Sequence, residues 1–406
     1  MASKVPEIRF AGFEGDWDKL PLSEYLTTSK AKNRDNTFSK EDVLSVSREY
    51  GVINQIKYQG RSFAGSSVTG YGVAKTNDII YTKSPLRDQP YGIIKTNKGI
   101  PGIVSALYAI YHPNDNVEPD FIQTFFDKDK RLNDYLRPIV HKGAKNTLNI
   151  GDDEALSGKV IIPKREEQIK ITESFKNIDA LISKQRNACE KLRTLKEALL
   201  SSLFPQNEKI KPRVRLGEFI EEWEEKRLYE IVTPYKEIVE TPHDGYHRLG
   251  IRSHGKGTFH SYVPKGAELE TAQMSVVRSN NLIVNITFGW ELAVAITELS
   301  DDGKLVSHRF PQFSFNDNNV PLFFRYALLN NRFRKHLTLA SPGSAGRNRV
   351  LKIEKMLEYK MLVPSKKEQK AISDILLEYD RLIQLNEQKL EKLRNLKQAM
   401  LDKMFV

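Results

Sequence analysis

Apolar residues at Leu181, Cys189, Leu192, Leu195 and Leu199 recur at close to three- and four-residue spacing, with Lys, Glu, Arg and Gln between them. The pattern returns at Leu382, Leu390, Leu393, Leu396 and Met400. That period predicts two amphipathic helices. Pro163 and Pro364 stand just before them, where a missing backbone donor does least harm, and Glu167 and Glu368 fall in the first turns, where negative charge is favourable. A helix of about 40 residues is roughly 60 Å long, a length that suits a spacer. Each stripe needs an apolar partner, and pairing of the two helices within the chain is favoured over pairing with another chain. The wide insert between them makes an antiparallel pair sterically easier than a parallel one.

The remaining sequence, approximately residues 17–160 and 223–361, has a different texture. Short Val/Ile/Tyr/Phe runs at Tyr71 to Tyr81, Val276 to Phe288 and Ala293 to Ile296 are punctuated by Gly, Asn, Asp and Pro, and read as strands. Helices are expected at Asp120 to Leu136 and at Val320 to Leu339. Each is followed by a Gly-containing polar loop, HKGAKNTLNI from His141 and SPGSAGRNRVLKI from Ser341. Each insert therefore reads as a mixed α/β globular domain.

The chain is also written twice. Pro6, Arg9, Trp17 and Leu22 are matched by Pro212, Arg215, Trp223 and Leu228, each pair 206 residues apart. The block IIPKREEQ...KLRTLKEALLSSLF from Ile161 aligns without a gap to LVPSKKEQ...KLRNLKQAMLDKMF from Leu362, at an offset of 201. A shared frame thus encloses two inserts without obvious identity to each other.

Composition narrows the class. A chain of 406 residues with 63 Lys plus Arg against 52 Asp plus Glu carries a formal charge of +11, which favours an anionic partner without naming one. One cysteine excludes a disulfide framework and a cysteine zinc cluster, and fits a reducing compartment. Met1 to Phe10 has no apolar run of signal-peptide length, and Leu282 to Ile296 is interrupted by Asn285, Gly289 and Glu291, so secreted and membrane-spanning classes are not expected.

Catalytic patterns are weak. GIRSHGKG from Gly250 to Gly257 resembles a phosphate loop but has Gly257 where Ser or Thr must reach magnesium, and Gly70, Gly72 and Lys75 lack the third glycine of a dinucleotide fingerprint. His243 and His247 are four apart, but Pro242 and Gly245 argue against the helix that would align them for a metal. Cys189 sits in a helical stripe and reads as inert core. Asp152/Asp153 and Asp301/Asp302 read as solvated turns.

Binding signals are more widely spread. Arg61, Ser62, Ser66, Ser67 and Thr69 form a polar Gly-containing loop, and Arg252, Ser253, His254 and Lys256 a comparable basic segment. Lys142, Lys145, Asn146 and Thr147 correspond loosely to Ser344, Arg347, Asn348 and Arg349. Such side chains can bridge to phosphates or read base edges, although solvated surface loops share this composition. Tyr58, Phe63, Tyr71 and Tyr81 read chiefly as core, with surface stacking as the alternative.

The duplicated lead-in segments, the PKREEQ/PSKKEQ helix starts and the KLRTLKEALLSSLF/KLRNLKQAMLDKMF ends together resemble the specificity subunit of type I restriction-modification systems, over essentially the whole chain. The resemblance implies two mixed α/β target recognition domains in pseudo-twofold arrangement, residues 1–160 and 206–361, joined by two long antiparallel coiled-coil-like spacer regions, 161–205 and 362–406. It implies a non-catalytic, cytoplasmic subunit that binds a bipartite asymmetric site on double-stranded DNA. Two modification (methyltransferase) subunits would bring S-adenosylmethionine, and restriction/translocase subunits ATP and magnesium. The loop after each main domain helix would contact DNA through Lys145, Asn146, Arg347 and Asn348. A protein-organising scaffold with nonspecific DNA affinity, or a stand-alone DNA-modifying enzyme, are the other readings.

Overall fold

The computed structural model describes residues 4–86, 89–142, 148–206, 210–217, 219–268, 273–343 and 349–406. Its helices are α1 (Gln55–Gln59), α2 (Pro119–Phe126), α3 (Asp129–Leu136), α4 (Arg165–Leu203), α5 (Leu228–Ile231), α6 (Pro321–Ala327), α7 (Asn331–Leu339), α8 (Ile353–Leu357) and α9 (Lys366–Lys403). The chain divides into two compact units, residues 1–187 with 387–406, and residues 188–386. Helix α4 starts in the first unit and ends in the second, and α9 does the reverse.

In the first unit a four-stranded antiparallel sheet runs in the order Leu26–Thr28, Tyr108–Pro113, Ile79–Thr82, Ile94–Thr96. Ile79, Tyr81, Ala109 and Tyr111 share a core with Phe121, Ile122, Phe125 and Phe126 of α2. Ile171, Phe175 and Ile178 from the start of α4 enter the same core, as do Leu401, Met404 and Phe405 from the end of α9 and just beyond it. The pair Asp18–Pro21 and Lys159–Ile162 closes the domain immediately before α4.

The second unit repeats this plan. Its four-stranded sheet runs Val232–Tyr235, Gln312–Phe315, Asn281–Val284, Val294–Ile296, and Glu224–Arg227 pairs with Lys360–Val363 just before α9. Leu282, Val284 and Phe313 pack with Phe323 and Phe324 of α6, with Leu203 at the end of α4 and with Ile372 and Leu376 at the start of α9. The two inserts thus have the same strand order around the same helix. They differ in their additions. The second unit carries a five-stranded sheet of Ile238–Glu240, Gln273–Val276, Leu305–Val306, Tyr246–Ile251 and Thr258–Val263, whereas the first carries only strand pairs such as Leu44–Ser47 with Gly51–Asn54.

The start of α4 lies against the end of α9 in one unit, and the end of α4 against the start of α9 in the other, so the two helices run antiparallel. Lys397 Nζ meets Asp179 at 2.6 Å in the first unit, and the Lys196 ammonium pairs with Asp380 in the second. The inward positions follow an alternating four- and three-residue step: Ile171, Phe175, Ile178 and Ile182 in α4, Ile372 and Leu376 in α9, each among the buried or partly buried residues. That is the seam of a coiled-coil pair. Leu181, Leu195 and Leu396 lie beside it, 52%, 51% and 53% exposed, so they are not part of the apolar stripe their spacing suggested. Cys189 lies on it and is buried.

Other expected elements are subdivided. The helix expected from Asp120 to Leu136 is α2 and α3, separated at extended Lys128. The helix expected over Val320 to Leu339 is α6 and α7, because Asn330 caps a new start by accepting the Phe333 N–H at 2.8 Å. The run Tyr71 to Tyr81 turns between Gly72–Ala74 and Ile79–Thr82, where Asn77 has φ 70° and Asp78 accepts the Lys75 N–H at 2.6 Å.

Candidate nucleic-acid interface

In the first unit the hairpin Leu44–Ser47/Gly51–Asn54 delivers the chain into α1, whose first turn is capped by Asn54 accepting the Lys57 N–H at 3.1 Å. Gly60, at φ 74°, ends the helix, and Arg61 and Ser62 follow. The Gln55 side chain holds this loop: its oxygen accepts the Phe63 N–H at 2.7 Å and its amide donates to Ser45 Oγ at 3.1 Å. Val68 anchors the far side among Val43 and Ile103. Between these anchors Phe63 stands 57% exposed, with the Arg61 guanidinium 4.6 Å above its ring. Tyr50 and Tyr58, also exposed, meet at 5.3 Å nearby on the same hairpin and helix. Ser66 is exposed. Tyr81 alone of the four aromatic candidates is fully in the core, where burial pushes its phenol well above its ordinary value.

In the second unit the segment Arg252 to Gly257 is the turn of the hairpin Tyr246–Ile251/Thr258–Val263, and no helix follows it. The Arg252 N–H bonds Gly257 O at 2.9 Å, closing the turn. The turn is docked onto the short helical turn Gly289–Glu291: the His254 N–H donates to Glu291 O at 2.7 Å, the Gly255 N–H to Leu292 O at 2.9 Å, and Ser253 Oγ to the Glu291 carboxylate at 2.5 Å. His254 holds a left-handed backbone, φ 63°, to make this fit. Arg252, His254 and Lys256 remain exposed, and the Arg252 guanidinium lies 5.2 Å over the exposed Phe259 ring. Arg61 and Arg252, both singled out by sequence, therefore share one arrangement: an arginine stacked on an exposed phenylalanine, which orders the guanidinium, and in Arg252 one guanidinium nitrogen also donates to Thr258 O of its own hairpin.

The same short turn reaches a third candidate. Trp290 lies beneath the Arg349 guanidinium at 5.4 Å, and Arg349 Nε donates to Gly343 O at 3.2 Å. His254, Lys256 and Arg349 are thus mounted on one local element. Lys142 lies on the strand His141–Lys142, paired with Leu148–Asn149. Lys145, Asn146, Arg347 and Asn348 lie outside the described residues.

Sequence reasoning passed over α7. His254, Lys256 and Gly257 line a groove of about 1650 Å³ in the second unit, together with Arg332, Arg334 and Lys335 of that helix. These three are exposed and form no ion pair among the described residues. The α7 string NRFRKHLTL has no acid to offset them, whereas in α3 Asp129 and Asp134 balance Lys130 and Arg131. The basic run is visible in the sequence, where nothing sets it apart from an ordinary charged helix surface.

The acid pairs are occupied by structure. Asp301 is fully buried, not solvated, and accepts Thr258 Oγ1 at 3.0 Å, the Glu298 N–H at 2.8 Å and a bond with His260 Nε2 at 2.6 Å. It fastens the base of the Arg252 hairpin. Asp302 accepts the Ser279 N–H at 2.9 Å, and Asp152 pairs with Lys83 at 2.7 Å. Among the described residues no group of three or more His, Cys, Asp or Glu could hold a metal ion, and no helix is long and apolar enough to cross a membrane.

Residues 220–395 match the family described as type I restriction modification DNA specificity domain. The specificity subunit of the type I restriction enzyme MjaVIII from Methanocaldococcus jannaschii is 24% identical over 259 residues, 60% of this chain and 60% of that protein. Residues 220–395, somewhat less than half of the chain, are thus similar to the type I restriction-modification specificity domain. The alignment spans less than two thirds of that curated relative's length. The solved structure of the type I restriction-modification S subunit from M. genitalium superposes with a TM-score of 0.57 at 14% identity, covering 99% of both chains, which places the specificity-subunit fold over the first half as well as the second.

Proposed function

We propose that this chain is a specificity subunit, the non-catalytic recognition component of a type I restriction-modification complex, reading a bipartite, asymmetric site on duplex DNA. The observation that carries the reading is the duplicated frame with two different polar surfaces mounted on it. Corresponding lead-ins, sheets and spacer starts recur, while the Arg61 loop and the Arg252 hairpin share only an arginine over a phenylalanine and differ in the elements that carry it. A frame used twice supplies geometry, and two unlike surfaces supply two unlike readouts.

In this reading residues 1–160 and 206–361 are the two target recognition domains, and 161–205 and 362–406 the spacers that separate their half-sites. Arg61, Ser62 and Ser66 serve one half-site, with Lys142, Lys145 and Asn146. Arg252, His254, Lys256, Arg347, Asn348 and Arg349 serve the other. Arg332, Arg334 and Lys335 add phosphate attraction along the groove of the second domain. Two modification subunits supply S-adenosylmethionine-dependent adenine methylation, and restriction/translocase subunits supply ATP- and magnesium-dependent translocation and cleavage, in the cytoplasm. This chain then needs no cofactor of its own.

The test is expression of the chain with its modification partner in a host lacking adenine methylation, followed by mapping of modified genomic adenines. The expected result is one motif of two specified blocks separated by a fixed unspecified gap. Copurification with a partner but no methylated motif favours a scaffold, and methylation by this chain alone makes it an enzyme; either refutes the reading.

A further inference from the structure

Both ends of each spacer helix are packed into a domain core, and the starts add a buried set of polar bonds. The ends are seated by aromatic packing: Phe405 contacts Trp17, Phe121, Phe125 and Phe175 with ring centroids 5.6–6.5 Å apart, and Phe204 contacts Trp223 and Phe323 at 6.3 and 5.4 Å. The starts are held by directional polar bonds. Arg9 grips Glu167 in the first turn of α4 with two bonds of 2.8 Å and donates to Gly15 O at 2.6 Å. Next to it, the fully buried Gln168 side chain accepts the Glu118 N–H at 2.8 Å and donates to Pro163 O at 2.8 Å and Asn116 O at 3.2 Å. Glu118 immediately precedes α2, so one amide ties the spacer to the main helix of its domain.

The second unit reproduces the forked ion pair and the three bonds of the amide. Arg215 grips Glu368 through both Nε, at 2.9 Å, and Nη2. Gln369 accepts the Val320 N–H at 2.8 Å and donates to Pro364 O at 3.0 Å and Asn318 O at 3.5 Å, and Val320 immediately precedes α6. Glu167 and Glu368 are 2% and 1% exposed, so neither carboxylate is a solvated surface group.

Aromatic packing tolerates small rotations, whereas a forked ion pair and a three-bonded buried amide each admit one orientation. The orientation has leverage. Helix α4 is 39 residues long, about 58 Å at 1.5 Å per residue, so a tilt of about 10° at its start displaces its far end by ~10 Å. That displacement corresponds to about three base-pair steps.

We propose that Arg9, Glu167 and Gln168, with Arg215, Glu368 and Gln369, are positioning residues that fix the direction in which each spacer helix leaves its own domain and so restrict the gap between half-sites. The proposal rests on the bipartite DNA reading above. It assigns gap selection to two joints as well as to spacer length.

The experiment uses the full chain assembled with its modification partner. Half-sites taken from the wild-type methylation map are placed on duplexes whose gaps run from two base pairs shorter to two longer, and affinities are measured for each and for a duplex with the first domain's half-site alone. The wild type is expected to prefer its own gap by about tenfold or more. Gln168→Leu, which keeps the volume and loses all three bonds, is expected to reduce that preference to about threefold or less, with half-site affinity within about twofold of wild type. Arg9→Lys, which keeps the charge and loses the fork, is expected to do the same more mildly and decides the matter if Gln168→Leu does not fold. An unchanged gap preference, or a uniform loss across all duplexes including the half-site, overturns the proposal. Failure of the wild type to recognise any bipartite site refutes the functional reading itself.

Discussion

Replacing Phe405 by Ala removes the ring on which the end of α9 is seated in the first unit. The side chain is 5% exposed and packs against four aromatic rings, with the Arg131 guanidinium 4.5 Å above it. Truncating a phenylalanine in such a core costs about 3–5 kcal/mol through lost transfer energy and the cavity left behind. Arg131 keeps the Phe125 ring at 4.9 Å and its bonds to Phe125 O and Leu401 O, so the added loss of one cation–π contact is small, about 0.5–1 kcal/mol. The counterpart Phe204 is only partly buried and touches two rings, so Phe204→Ala is expected to cost less, about 1–3 kcal/mol. Native-state hydrogen exchange, read peptide by peptide, separates the two units without assuming a single unfolding transition. The slowest amides of residues 1–187 should lose about 4 kcal/mol of protection in Phe405→Ala, and those of residues 188–386 much less. A loss below about 1.5 kcal/mol in the first unit, or a larger effect from Phe204→Ala, refutes the view that Phe405 is the principal anchor.

Arg61→Ala and Arg252→Ala are each expected to weaken cognate binding by about 1–3 kcal/mol and to relax readout in one half-site only; competition binding against singly substituted duplexes checks this, and equal loss on scrambled DNA contradicts it. Converting Arg332, Arg334 and Lys335 together to Gln should lower affinity uniformly across sequences and flatten the slope of log affinity against log salt by up to about 2.7; a salt titration with an unchanged slope removes α7 from the interface. Asp301→Ala strands His260, Thr258 and the Glu298 N–H, and should destabilise the Arg252 hairpin by about 1–3 kcal/mol, measured as faster exchange of the 246–263 amides with the first unit unaffected.

The frame was legible in the sequence because it is duplicated. Ile161 to Phe204 and its copy announce two helices, and Pro163, Glu167, Pro364 and Glu368 mark where they begin. The matched Arg9/Arg215 and Glu167/Glu368 also carried the joint, but each was read as a repeat mark or a helix-dipole acid, since partners some 150 residues apart leave no local signal. Spacing placed Leu181 and Leu195 in the stripe because a leucine beside the seam has nearly the same period as one on it. The shared strand order of the inserts was hidden, because its strands are three to six residues long and those buried throughout, such as Ile79–Thr82 and Asn281–Val284, constrain hydrophobicity and not identity. Phe63 and Phe259 resemble core aromatics in sequence; only the loop geometry turns them outward under an arginine.

The most direct test of bipartite recognition is a domain exchange read by methylation. With residues 17–160 replaced by the corresponding segment of a type I restriction-modification specificity subunit, and the modification partner unchanged, the map of methylated adenines should keep the second block of the motif and change the first. Alteration of both blocks, or of neither, would contradict the assignment of one half-site to each domain.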